Sequence, residues 1–73
     1  MSAFEQLWAA EAELALVRGQ LRSCERARLD GRVVDVEHWQ RRRARLRGRV
    51  VELERERRAR AHDVEVNDNG GEQ

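Results

Sequence analysis

The chain has 73 residues, 40% of them charged and 4% aromatic, with no proline, no tyrosine and a single cysteine. Length predicts one domain, and no apolar run approaches the roughly 20 residues of a spanning helix. One cysteine excludes a disulfide scaffold, and no stretch has the charged-then-apolar layout of a signal peptide. All 15 basic residues are arginine; 14 acids nearly cancel them, for a net charge of +1.

Ser2 and Glu5 have the spacing of a capping box, which opens a helix by satisfying orphan amide donors. Phe4, Leu7, Ala10, Leu14, Val17, Leu21 and Cys24 then recur at steps of three and four, close to a heptad seam. Gly31 stands where a helix-terminating glycine belongs, so the first helix is predicted over residues 3–29. Residues 30–35 form a short connection. Asp35 reads as an N-cap, and Val34 and Trp39 have the spacing of a hydrophobic staple. A second helix is predicted over residues 36–61. Its stripe is Val36, Trp39, Leu46, Val50 and Leu53, with Arg43 and Arg57 filling two positions. Residues 62–73 lose the stripe and carry four acids, Asp63, Glu65, Asp68 and Glu72. They read as a flexible acidic tail, or else as a segment that pairs with a partner's sheet edge or basic groove.

A short connection between amphipathic helices gives an antiparallel αα-hairpin. The predicted fold is therefore all-α: a coiled-coil-like two-helix hairpin over residues 1–61 with a short polar tail. Its core is expected from Leu7, Leu14, Val17, Leu21, Trp39, Leu46, Val50 and Leu53. Facing residue numbers sum to about 64 in such a hairpin, which sets Val50 near Leu14 and Trp39 near Cys24. Gly19 and Gly48 fall at nearly the same level. Either they permit close backbone approach, within the hairpin or between copies, or they are tolerated irregularities.

Two features point beyond one hairpin. Only 16 large apolar side chains lie outside Met1 and the tail, and chains this small often need a metal, a disulfide or a partner. A second apolar face is also present: Trp8, Ala12, Ala15, Leu16 and Gly19 on the first helix, Ala44, Gly48 and Val51 on the second. Trp8, Leu16 and Val51 are the expected partner contacts.

Charge gathers on the second helix, where residues 41–60 hold ten arginines against Glu52, Glu54 and Glu56. Arg41, Arg45 and Arg49 form a like-charge ladder, as do Arg18, Arg22 and Arg26; such ladders destabilise an isolated helix. Arg41, Arg45 and Arg49 are the candidate contacts for an anion, either nucleic-acid phosphate or the acids of a neighbouring copy. Alternatively the face is solvated and partly neutralised by Glu37–Arg41, Glu54–Arg58 and Glu56–Arg60.

Nothing points to catalysis. Cys24 lies on the apolar stripe, and His38 and His62 are far apart in sequence, so no metal-ligand spacing arises. There is no phosphate-binding loop. No catalytic residue, cofactor, metal or small-molecule substrate is expected.

The run Leu29-Asp30-Gly31-Arg32-Val33-Val34-Asp35-Val36-Glu37-His38-Trp39 and its Arg-rich continuation resemble the central helical segment of lambda-type phage small terminase subunits. Gly31, Val33, Val34, Asp35 and Trp39 match that pattern, and Arg49, Val50, Val51 and Leu53 its later part, covering about residues 20–54. The family's winged helix-turn-helix has no counterpart here, so specific DNA recognition does not carry over. The proline that closes the family's second helix is replaced by Arg and Glu. The resemblance implies assembly: a hairpin that packs into a ring or bundle and hands a tail to a larger partner. The all-arginine basic complement suits a GC-rich genome, as in a bacterium or its phage. The function expected is a non-enzymatic, homo-oligomerising adaptor of phage DNA packaging or particle assembly. It would work in the cytoplasm of a bacterial or phage-infected cell, with virion association and no membrane. Alternatives are an arginine-rich nucleic-acid accessory protein and a small inhibitor of a host or defence protein.

Overall fold

The computed structural model describes residues 2–70, and the side chains of residues 2–66. Two helices, α1 (Ala3–Leu29) and α2 (Val36–Gly70), pack along each other as a hairpin. The rod measures 59 × 17 × 15 Å.

Local chemistry fixes three of the four helix ends. At the start of α1 the Ser2 hydroxyl accepts from the Glu5 amide at 3.1 Å, and the Ser2 carbonyl accepts from Gln6. This satisfies donors that have no partner inside the helix. At its end Gly31 takes φ +73°, which a Cβ would oppose. The Gly31 amide then donates to the Arg28 carbonyl at 3.2 Å, and the Arg32 amide to the Ala27 carbonyl at 2.9 Å. Those are the two bonds of a Schellman motif. Asp35 opens α2: its carboxylate accepts from the His38 amide at 3.1 Å and its carbonyl from the Trp39 amide.

The fourth end differs from the sequence expectation. Helix α2 does not stop near Ala61 but continues to Gly70. No proline or glycine interrupts residues 61–69, so each added residue extends a helix already nucleated, which is the cheap step. Asp63 returns one turn to Arg60 at 3.8 Å, and Val64 is half-buried at the next seam position. The expected flexible tail is thus helical over residues 62–70. Residues 71–73 of it lie outside the described residues.

The core is a single seam. Leu14, Val17 and Leu53 form its buried centre, with Leu46 and Val50 packed against them. Ala10 and Cys24 are also buried on α1. Leu53 is 0% exposed and Leu14 2%, so each contributes roughly 1.5–3 kcal/mol by leaving water. Buried or half-buried residues recur on α1 at Ala3, Leu7, Ala10, Leu14, Val17, Leu21 and Cys24. On α2 they recur at Trp39, Arg43, Leu46, Val50, Leu53, Arg57, Arg60 and Val64. Both runs alternate steps of four and three, the repeat of a coiled-coil seam.

Three expectations are corrected here. Phe4 is exposed and is not part of the stripe; the neighbouring Ala3 holds that position. Val36 is exposed too, so the α2 seam begins at Trp39. Val34 is 97% exposed and makes no staple with Trp39; Val33 is the half-buried residue of the connection.

Candidate functional site

Among the described residues no three His, Cys, Asp or Glu side chains gather where they could hold a metal. Nor, among those residues, is any helix long and apolar enough to cross a membrane. The chemistry available lies in three surfaces: the rim of the seam, the outer face of α1 and the arginine face of α2.

The rim begins at Trp39, half-buried near the turn. Its indole Nε1 donates to the Cys24 carbonyl of α1 at 2.7 Å. The guanidinium groups of Arg28 and Arg43 stand 5.8 and 5.7 Å from its ring centroid, within range of attraction to the π face. Arg43 also reaches Glu25 at 3.7 Å. Farther along, Arg49 bonds the Glu13 carboxylate across the seam and Glu52 on its own helix. Those two bonds, Glu13 first, hold the Arg49 guanidinium still further above its already high pKa. Arg18 meets Glu54 at 3.4 Å, and Arg60 donates to the Gln6 side chain at 3.0 Å. These contacts tie Gln6 to Arg60, Glu13 to Arg49 and Cys24 to Trp39, which fixes an antiparallel register. The ion pairs are well exposed, and such pairs contribute about 0–1 kcal/mol each. Their effect is chiefly on which residues face each other.

Other partners replace the expected local ones for Glu54 and Arg60. The pairs Glu37–Arg41, Glu54–Arg58 and Glu56–Arg60 do not form; Glu54 turns to Arg18 and Arg60 to Gln6 and Asp63. Spacing along one helix shows only its own neighbours, whereas Arg18 and Gln6 lie on the other helix.

No protein-family model, curated protein or solved structure matches this chain. Its surfaces are therefore read from their own geometry.

The predicted core residues all lie on the seam: Leu14, Val17 and Leu53 buried, and Leu7, Leu21, Trp39, Leu46 and Val50 half-buried. The predicted partner contacts all lie off it. Trp8 is 69% exposed and Leu16 63%, both on the side of α1 away from α2; Val51 is about half exposed on α2. Phe4 joins them, its ring stacked on Trp8 with centroids 6.3 Å apart. A shallow hollow of about 730 Å³ lies beside this pair, lined by Glu5, Trp8, Ala9, Glu11 and Ala12.

The predicted anion contacts divide. Arg41 and Arg45 are exposed, and with His38 they line a shallow hollow of about 410 Å³. Among the described residues neither has an acid within 4 Å. Arg49 differs from them in being paired, with Glu13 across the seam and Glu52 on its own helix. The Gly19 and Gly48 positions are open: a methyl group at either would meet nothing within 4 Å. Close approach within the hairpin is therefore not what these glycines provide.

What the sequence did not reveal was Trp39 as a hub. Its approach to Cys24 followed from the register, but the hydrogen bond and the flanking arginines required side-chain directions. Arg28 and Arg43 one turn either side of the facing level were the available signal.

Proposed function

We propose that this chain is a non-enzymatic assembly module. Its hairpin is a rigid spacer that self-associates through surfaces left uncovered by its own fold, and that presents its charged face to a larger partner. The observation that carries this is the placement of Phe4, Trp8 and Leu16. The Phe4 and Trp8 rings stack on each other, both exposed, at the N-terminal end of α1, and Leu16 stands exposed about two turns beyond Trp8. An exposed, stacked aromatic pair such as Phe4 and Trp8 supports an interaction site there.

The setting we favour is phage DNA packaging or particle assembly, in a bacterial or phage-infected cell. Support for that setting comes from the resemblance carried by Gly31, Val33, Val34, Asp35 and Trp39. In the hairpin Gly31 closes α1 and Asp35 opens α2, so two residues of that pattern set the angle between the helices. Sedimentation of the purified chain tests self-association, and pull-down from the native host identifies the larger partner. A monomer at all working concentrations would remove the first half of the proposal.

A second interpretation is favoured by Arg41 and Arg45, which have no acid nearby: an accessory that touches nucleic-acid phosphate. Binding would then weaken steeply with salt, and Arg41→Ala with Arg45→Ala would lower the salt slope. Absence of binding at low ionic strength would eliminate it.

A further inference from the structure

We infer that the outer face of α1 is closed by a second copy of this chain, lying antiparallel across it with the two-fold axis near Ala15. This rests on the self-association proposed above and specifies its geometry.

The face is apolar along its middle. Trp8, Ala12, Ala15 and Gly19 follow one another at steps of four and three, with Leu16 at the edge, and this line runs opposite the Leu14–Val17 seam. Such spacing is that of a second coiled-coil seam. The residues along its centre are small, and a methyl group built at Gly19 points into open space. A neighbouring helix can therefore approach closely between the aromatic pair at one end and the turn at the other.

Charge selects the occupant. Glu5 and Glu11 flank Trp8 at the N-terminal end of the face, while Arg22 and Arg26 lie at its C-terminal end beside Glu25 and Asp30, with Arg26 paired to Asp30 and Arg22 left, among the described residues, without an acid. A parallel copy would set acid on acid and arginine on arginine. An antiparallel copy centred at Ala15 sets Trp8 opposite Arg22 of the second copy and Phe4 opposite Arg26 of the second copy. Each arginine then lies between the acids and the ring. The acids at the N-terminal end make nucleic acid a poor occupant, because its phosphates would meet them.

The hairpin's own turn shows the same combination. Trp39 is held between Arg28 and Arg43, with Glu25 pairing Arg43. Trp8 has the acids and the hollow beside it but, among the described residues, no arginine stands over its ring. Likewise, among those residues Arg22 has no acid within 4 Å. A two-fold related copy supplies to each what it lacks, and does so twice.

The experiment is disulfide trapping combined with sedimentation equilibrium, in a Cys24→Ala background checked for helical content. Ala15→Cys is expected to cross-link to itself, because the axis passes beside it. Phe4→Cys is expected to cross-link only when mixed with Arg26→Cys. Val51→Cys, on α2, is expected to stay uncross-linked. Trp8→Ala is expected to weaken association by about 30-fold or more, as for an aromatic anchor that is buried twice in the symmetric pair. Self-linking of Phe4→Cys would mean a parallel pair and overturn the inference. A multimer that links only through Val51→Cys would also overturn it, while leaving self-association standing. A monomeric wild-type chain would overturn both.

Discussion

Leu53 is completely enclosed by Leu14 and Val17 of α1, with Leu46 and Val50 packed alongside. Leu53→Ala would remove the end of this side chain from the centre of the seam. The lost transfer energy is roughly 1.5–3 kcal/mol, and a cavity term brings such changes to about 2–5 kcal/mol. The hairpin is one seam thick and its flanking Leu46 and Val50 are half-exposed, so the walls can partly close the gap. That argues for the lower part of the range, about 3 kcal/mol, or a fall in Tm of about 12–24 °C for a domain of this size. Thermal unfolding followed by far-ultraviolet circular dichroism would measure it. Protein concentration must be held fixed, because association raises apparent stability. Leu29→Ala is the control: Leu29 is 86% exposed, and its loss should change stability by no more than about 0.5 kcal/mol. Equal shifts for the two variants would refute the packing described for the seam.

Other substitutions probe separate contacts. Trp39→Phe keeps the aromatic ring but removes the hydrogen bond to the Cys24 carbonyl; a loss of about 1 kcal/mol is expected in denaturant titration. Gly31→Ala places a Cβ at φ +73° and should cost about 1–2 kcal/mol, read as a lower denaturation midpoint. Gly48→Ala should act in the opposite sense. Its new methyl group meets nothing, and helix propensity then raises stability by about 1 kcal/mol. A destabilised Gly48→Ala with reduced association would show instead that another copy approaches there. Arg49→Ala should weaken the hairpin slightly, read as a small fall in Tm, with the difference shrinking as salt is added.

The parts of the fold legible in the sequence were those set by local chemistry. Ser2, Gly31 and Asp35 each act on backbone groups within four residues of themselves, so their spacing alone marks three helix ends. The two-helix hairpin followed from the short connection and the repeating apolar stripes. The end of α2 was hidden because the seam changes residue type before it changes shape. Arg57 and Arg60 occupy seam positions with half-buried side chains, and Val64 resumes the apolar pattern beyond them. Read locally, Asp63-Val64-Glu65-Val66 merely alternates. An aromatic outweighs the adjacent alanine in any apolar count, so the pattern favours Phe4, yet Ala3 is the residue in phase with Leu7. Val34 failed as a staple because the turn after Gly31 directs Val33 inward instead. Arg49 looked like a free cation only because Glu13, its neutralising partner, is distant in sequence and adjacent in the hairpin.

Self-association is the claim on which the functional account depends, and sedimentation equilibrium of the unaltered chain across the micromolar range tests it most directly. The account predicts a mass of at least twice the 8.6 kDa of one chain, shifting toward the single-chain value when Trp8 and Leu16 are both replaced by alanine. A mass of 8.6 kDa at every concentration, with the helices intact by circular dichroism, would contradict it.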